Sequence, residues 1–294
     1  MKIITFDIGG TFIKYALCDE NFVLSESTKI PTDAKALGGK KIIEKVIGII
    51  KTVDGLDRVA ISTAGQVDSE SGTIVYATDN IPGYTGTEIK KMIEAETGVL
   101  TYVENDVNAA ALGEAYFGKA KGCTDFICLT YGTGIGGAVV LGGELYKGAG
   151  CSAGEMGHII THAGGRDCTC GGKGCYECYA SASALVETAN KISETELDGV
   201  KIFAKENFEK PAIRACVDSW IEEIAAGLIS IIYTFNPSLI VLGGGIMNED
   251  YIVDSLNKII SSRLMQSFRN VRIVNSDLGN SAGMLGVAYK ASKL

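Results

Sequence analysis

Short apolar runs and helix-spaced apolar sets take turns along this chain, a pattern that predicts strands and helices in alternation. Ile3 to Phe6 is a strand-type run. Asp7-Ile8-Gly9-Gly10-Thr11 is a glycine turn, and Phe12, Ile13, Tyr15, Ala16 and Leu17 form a second run. Strand, turn, strand follows. Between Gly39 and Val53 the apolar residues Ile42, Ile43, Val46, Ile47, Ile50 and Val53 keep helical spacing, with Gly55 just beyond. Val59 to Thr63, Thr73 to Tyr76 and Val99 to Val103 read as strands. Thr85-Gly86-Thr87-Glu88 has the form of a capping box. It precedes a helix containing Ile89, Met92 and Ile93, with Gly98 past its end. Glu104-Asn105-Asp106 closes the last strand and opens a helical run from Ala109 to Phe117. Asp106 there reads either as a ligand-facing carboxylate or as a plain N-cap.

The opening pattern then returns. Phe126 to Tyr131 is a β run, Gly132-Thr133-Gly134-Ile135-Gly136-Gly137 a glycine turn, and Ala138 to Leu141 a β run again. Two such units about half a chain apart suggest a duplicated architecture. Their glycines let backbone N–H groups approach an anion, and Thr11 adds a hydroxyl. Further on, Tyr179 to Ala189 reads as a helix, and Glu187 to Lys210 as surface helices and loops. A long helix from Pro211 to Phe235 ends at Asn236-Pro237-Ser238. Leu239 to Leu242 is a strand running into Gly243-Gly244-Gly245. Asn248 to Leu264 is a helix, Val271 to Val274 a strand, and Asn280 or Ser281 caps a last helix to Lys293.

Composition narrows the class. The 294 residues carry a net charge of −8, which disfavours nucleic acid as a partner. No secretory signal opens the chain, and the longest apolar run, Ile224 to Phe235, is too short to span a bilayer. A cytoplasmic protein is expected. In that compartment clustered cysteines are more often metal ligands than disulfides.

Nine cysteines and only two histidines are present, and both histidines fall between Cys151 and Glu177. His158, Cys168, Cys170 and Cys175 form a closed structural metal pattern, and thiolate with imidazole suits Zn²⁺. Cys178 and His162 stand close enough to compete with Cys175 and His158. The glycines Gly154, Gly157, Gly164 and Gly165 argue against a helix there, which favours His158.

These stretches together resemble the ROK family of sugar kinases and repressors. The likeness rests on D-I-G-G-T-F-I-K from Asp7, E-N-D-V-N-A-A from Glu104 and G-T-G-I-G-G from Gly132. It continues in A-G-E-M-G-H from Ala153, C-T-C-G-G-K-G-C-Y-E from Cys168 and N-P-S-L-I-V-L-G-G-G from Asn236. The resemblance implies the actin-like ATPase fold shared with hexokinases, two α/β domains around a cleft with the last helix returning to the first, hence one domain at residues 1–115 plus 279–294 and a second at 116–278. It implies an ATP-dependent sugar kinase using Mg²⁺, with structural Zn²⁺ on His158, Cys168, Cys170 and Cys175. Asp106 would be the catalytic base. Asn105, Glu155, His158 and Glu177 would bond the sugar hydroxyls, joined by Gly65, Gln66, Thr78 and Asn80. Asp7 would lie near Mg²⁺, with Gly9, Gly10, Thr11 and Lys14 at the phosphates. Gly132, Thr133, Gly134, Gly136 and Gly137 would hold the other side of the triphosphate, and Gly244 and Gly245 the adenosine. Lys14 also reads as a solvated strand lysine. The substrate implied is a hexose or N-acetylhexosamine phosphorylated on its 6-hydroxyl, by a homodimer.

Three other readings compete. A sugar-responsive regulator of the same family without kinase activity would carry a helix-turn-helix ahead of the first glycine motif, and that motif begins at Asp7. A chaperone or filament ATPase has no use for the Cys-His cluster. A zinc-ribbon nucleic-acid binder conflicts with the charge.

Overall fold

A computed structural model describes all residues, 1–294. The chain forms two compact units. The first comprises Met1–Gly122, Leu145–Ala153 and Asn280–Leu294, the second Cys123–Glu144 and Gly154–Gly279.

The first unit begins with β1 (Ile3–Ile8), β2 (Phe12–Cys18), β3 (Thr28–Pro31) and α1 (Ala34–Ile50). It continues through β4 (Arg58–Thr63), β5 (Gln66–Asp68), β6 (Thr73–Tyr76), α2 (Ile89–Thr97), β7 (Thr101–Asn105) and α3 (Asp106–Phe117). Its main sheet has the order β3-β2-β1-β4-β7. The first three strands are antiparallel, and β4 and β7 run parallel to β1. Alternation along the strands divides the two faces. Ile4, Phe6, Ile8 and Ile61 pack with Ile42, Ile43 and Val46 of α1 and with Ile89 and Ile93 of α2.

The second unit holds β8 (Phe126–Tyr131), β9 (Ile135–Leu141), β10 (Glu144–Leu145), α4 (Glu177–Ala180), α5 (Ala182–Asn190), α6 (Gly199–Phe203) and α7 (Lys205–Phe208). Then come α8 (Pro211–Phe235), β11 (Leu239–Gly243), α9 (Asp250–Arg263) and β12 (Arg272–Asn275). Its sheet order is β10-β9-β8-β11-β12, the same arrangement as the first sheet. The duplication read from two glycine turns is therefore a duplication of whole sheets. Ile224, Leu228 and Ile232 of α8 pack on Ile127, Leu129, Ile240 and Leu242. Pro211 takes the first helical turn and Asn236 ends α8 in the left-handed conformation, as the sequence predicts.

The chain returns to the first unit as α10 (Ala282–Ala291). It packs beside α3 on the second face of the first sheet, where Ile3, Ala60, Ala109, Val287 and Ala288 are buried together.

Several local expectations are corrected. The capping box at Thr85 does not form. Thr85 Oγ1 accepts from Ala77 N at 3.0 Å, and Thr87 O accepts from Ile74 N. These bonds hold the segment against β6, so α2 starts only at Ile89, with Glu88 in the cap position making no cap bond. The helix expected from Gly39 starts at Ala34 and is interrupted at Gly38, where φ is 71°. The expected boundary at residues 115 and 116 falls inside α3. Leu145–Ala153 packs with the first unit, although it lies among second-unit residues in the chain.

Candidate functional site

Register places the motifs of the first unit along one sheet edge. Ile8 pairs with Thr63 and Thr63 with Asn105, so the residues following β1, β4 and β7 emerge side by side. Carboxyl ends of parallel strands are where α/β sheets bind ligands. Asp7, Lys14 and Ser62 are register neighbours on one face. Lys14 Nζ lies 3.6 Å from Asp7 Oδ2, and Ser62 Oγ donates to Asp7 Oδ1 at 3.4 Å. Burial raises the Asp7 pKa, against the opposing pull of Lys14 and Ser62. Lys14, open to two readings in the sequence, thus serves as the partner of Asp7. Gly9 N donates to Phe12 O at 3.0 Å to close the hairpin, while Gly10 and Thr11 are exposed.

Asn105, not Asp106, is the N-cap of α3. Its Oδ1 accepts from Val107 N at 2.9 Å and Asn108 N at 3.1 Å. Its Nδ2 donates to Gly65 O and to Asp106 Oδ1, both at 2.9 Å. Every hydrogen-bonding position of this amide is engaged. Asp106 Oδ1 also accepts from Val107 N at 2.9 Å, which leaves Oδ2 to face an incoming group. The Asp106 side chain keeps solvent access, yet protein crowds it. That desolvation, with the like charge of Asp7, raises its pKa to about 6 against the bonds from Val107 and Asn105.

Behind Asp106 lies a group the sequence reading passed over. Glu104 is fully buried. Its Oε2 accepts from Lys147 Nζ at 2.6 Å and Tyr102 OH at 2.9 Å, and its Oε1 from Asn105 N at 3.1 Å and Asn108 Nδ2 at 3.2 Å. Lys147 also bonds Ser69 Oγ. Ser152 Oγ donates to Gln66 Oε1 at 2.6 Å, a second tie between the Leu145–Ala153 segment and its own unit. The only hint in the sequence was Glu104's place beside Asn105. Gly65 and Gln66 join this group through those bonds. Asn80 lies beside Gly10, and Thr78 sits in the same exposed loop.

In the second unit, Tyr131 leads into the turn Gly132–Gly137, where Gly132 N donates to Gly134 O at 3.0 Å. Gly132 and Thr133 are exposed, and Gly136 lies within β9. Gly244 stands at the adjoining end of β11 with φ of 104°, and a Cβ there would overlap the Tyr131 carbonyl oxygen. Only glycine lets these two strand ends meet. Gly245 follows, also exposed. A close approach likewise seats the A-G-E-M-G-H segment. Gly157 and Gly154 abut the backbone of Ile135 and Gly137 in β9. Glu155 is exposed at the head of the short turn Met156–His158.

His158, Cys168, Cys170 and Cys175 converge, with their ligand atoms all within 4.8 Å of one another. His158 Nδ1 lies 3.6 Å from Cys168 Sγ, and Cys170 Sγ 3.6 Å from Cys175 Sγ. Three soft thiols and one imidazole at this spacing suit a tetrahedral ion. His162 is committed elsewhere. Its ring stacks on Tyr179 at 3.9 Å, Nδ1 bonds Thr161 Oγ1 at 3.1 Å, and Nε2 lies 3.6 Å from Glu223. Cys178 Sγ donates to Asp167 O at 3.6 Å. Glu177 Oε1 accepts from Cys168 Sγ at 3.3 Å, and Oε2 accepts from Ile135 N at 3.3 Å.

No helix is long and apolar enough to cross a membrane.

Comparison with known proteins bears on both units. The model of the ROK family matches residues 3–293. A glucokinase of Streptomyces coelicolor is 33% identical over 303 residues, covering 96% of this chain and 95% of the relative. A crystal structure of a ROK family glucokinase from Streptomyces griseus in complex with glucose and AMPPNP matches with a TM-score of 0.86 and 28% identity, covering 100% of both chains. The ROK hexokinase of Thermus thermophilus matches with a TM-score of 0.83 and 31% identity, over 100% of this chain and 98% of that one. The fold is the actin-like ATPase fold of these sugar kinases, built from two sheets of identical strand order. The family model spans the chain almost end to end and the relatives align over nearly their whole length, so the protein belongs to the ROK family.

Proposed function

We propose that this protein is an ATP-dependent sugar kinase that transfers the γ-phosphoryl group to the 6-hydroxyl of a hexose or N-acetylhexosamine. The observation that carries the reading is Asp106, a solvent-reachable carboxylate at the mouth of β7, oriented by Asn105 and Val107 and titrating at about 6. A base poised there is ionised at neutral pH and still basic enough to take a hydroxyl proton as the phosphorus–oxygen bond forms. Phosphoryl transfer otherwise needs positioning and charge neutralisation. In a Streptomyces griseus relative the same fold was crystallised with glucose and an ATP analogue.

The remaining roles divide by unit. In the first, Oδ2 of Asp106 accepts the sugar proton. Asn105 reaches a sugar hydroxyl by exchanging its bond to Asp106, and Gly65, Gln66, Thr78 and Asn80 line the sugar. Gly9, Gly10 and Thr11 meet the phosphates. Asp7 supplies the carboxylate for Mg²⁺ and Lys14 balances its charge. In the second, Gly132, Thr133, Gly134, Gly136 and Gly137 meet the triphosphate and Gly244 and Gly245 the adenosine. Glu155, His158 and Glu177 bond the sugar hydroxyls.

His158, Cys168, Cys170 and Cys175 hold structural Zn²⁺. A tetrahedral Zn²⁺ with bonds of about 2.3 Å to sulfur and about 2.0 Å to nitrogen gives S–S edges of about 3.8 Å and S–N edges of about 3.5 Å. The two separations of 3.6 Å fit both. With Nδ1 of His158 turned to the cluster, Nε2 is the atom left for the sugar, and a metal on Nδ1 fixes that tautomer.

The test is ATP-coupled turnover across hexoses, N-acetylhexosamines and β-glucosides with the metal content measured. Turnover of at least one sugar is expected. No turnover of any of them by metal-loaded protein overturns the kinase reading. Light scattering on the same sample checks the expected homodimer.

A further inference from the structure

Glu177 does more than its assigned sugar contact requires. Three consecutive residues, Cys175, Tyr176 and Glu177, each grip something different. Cys175 belongs to the thiol–imidazole cluster. Tyr176 is fully buried, and its hydroxyl lies 2.8 Å from Tyr131 OH while donating to Ile224 O at 3.0 Å. Tyr131 is the last residue before the glycine turn. Glu177 Oε2 accepts from Ile135 N, the first residue after the turn's Gly134. The carboxylate lies so close to Gly134 that a Cβ there would overlap Oε2. Tyr176 thus fixes the entry of the Gly132–Gly137 turn and Glu177 its middle. Meanwhile Glu177 Oε1 faces the cluster, 3.3 Å from Cys168 Sγ and 3.7 Å from His158 Nδ1.

A glycine turn binds phosphate through backbone N–H groups, and it can do so tightly only if they are already aimed. Glycines supply no side chains to hold that aim. We propose that Glu177 is a positioning residue for the nucleotide: a metal on Cys175 would anchor the Cys175–Glu177 stretch, Glu177 carries that anchorage to Ile135 N, and metal loading of the cluster thereby sets the affinity of the Gly132–Gly137 turn for ATP, with no sugar required. This rests on the reading above that the turn binds the triphosphate. It adds a coupling between two sites, which must then appear from either side.

The experiment is calorimetric titration of the full chain with AMPPNP and Mg²⁺ in the absence of sugar, with zinc content measured on each sample. Glu177→Asp withdraws the carboxylate by one methylene and loses the bond to Ile135 N. An analogue Kd raised about tenfold is expected, the size of one charged hydrogen bond, with one zinc per chain retained. Glu177→Gln keeps an oxygen that accepts from Ile135 N. It is expected within about twofold of the parent for the analogue, although its sugar KM rises. Gly134→Ala displaces the carboxylate without touching a metal ligand and is expected to weaken binding as Glu177→Asp does. Zinc removal by a chelator should weaken the parent by a similar factor and add little to Glu177→Asp, since both act through one link. Parent-like binding by zinc-loaded Glu177→Asp overturns the proposal, as does equal weakening in the Asp and Gln variants. If the zinc-loaded parent itself fails to bind AMPPNP, the nucleotide reading of the turn falls and the proposal with it. That outcome is distinct because no variant is needed to reach it.

Discussion

Replacing Lys147 with methionine should cost this protein more stability than its partial exposure suggests. The side chain of Lys147 is 26% exposed, but its partner Glu104 is 0% exposed. Methionine keeps much of the stem and deletes the charge. The Glu104 carboxylate then retains Tyr102 OH, Asn105 N and Asn108 Nδ2 as donors and loses its only ion-pair partner at 2.6 Å. Breaking a buried pair from one side costs about 3–5 kcal/mol, because the other charge stays buried. Three surviving neutral donors keep the cost near the lower end, about 3 kcal/mol. Glu104→Gln should cost less, since Lys147 can turn its ammonium to water. The double variant should fall short of the sum by at least about 1 kcal/mol, the coupling expected of residues in direct contact. Urea unfolding followed by far-UV circular dichroism reads these values. Trp220, the single tryptophan, lies in the second unit and gives an internal reference by fluorescence. A Lys147→Met variant within about 0.5 kcal/mol of the parent, the range of ordinary surface changes, would refute the argument. So would an additive cycle.

Other perturbations test the remaining structure. Because a base works only when ionised, kcat/KM should fall about tenfold per pH unit below the Asp106 pKa of about 6, and Asp106→Asn should lose about 10²–10⁴-fold in kcat while sugar binding survives. The same shift has a stability sign. With the folded pKa above the ordinary 3.8, the contribution of Asp106 is fully present below that value and is lost as pH rises through about 6. Asp106→Asn should therefore melt higher than the parent at pH 7, with the advantage fading near pH 4, and a lower melting temperature at pH 7 would contradict the assigned shift. Cys170→Ser should lose zinc and thermal stability together; a metal-free variant with parental melting would dismiss a structural role for the ion. Gly286→Ala would drive a methyl into the Ala109 carbonyl where α10 crosses α3, and a loss of about 1–3 kcal/mol is expected in chemical unfolding.

The parts of this protein readable in the chain are those set by neighbours in sequence. A β run entering a glycine pair, twice, marked both glycine turns, because strand alternation and glycine's freedom act within a few residues. Pro211 at a helix start and Asn236 at its end obey equally local rules. Cys168, Cys170 and Cys175 were legible for the same reason, since donors this close can meet without help from the fold. The glycines around it favoured His158 over His162 as the fourth member, and the fold supplies the reason. His158 turns to the thiols because Gly154 and Gly157 press its segment onto β9, and His162 is drawn away to Tyr179 and Glu223. Tertiary contacts also decided the work of Lys14, a strand lysine until register set it opposite Asp7. They paired Glu104 with Lys147 forty-three residues on, and set Tyr176 against Tyr131. None of these pairings leaves a local trace, because a buried charge or hydroxyl selects its partner by proximity in the folded state, where the cost of leaving it alone is highest.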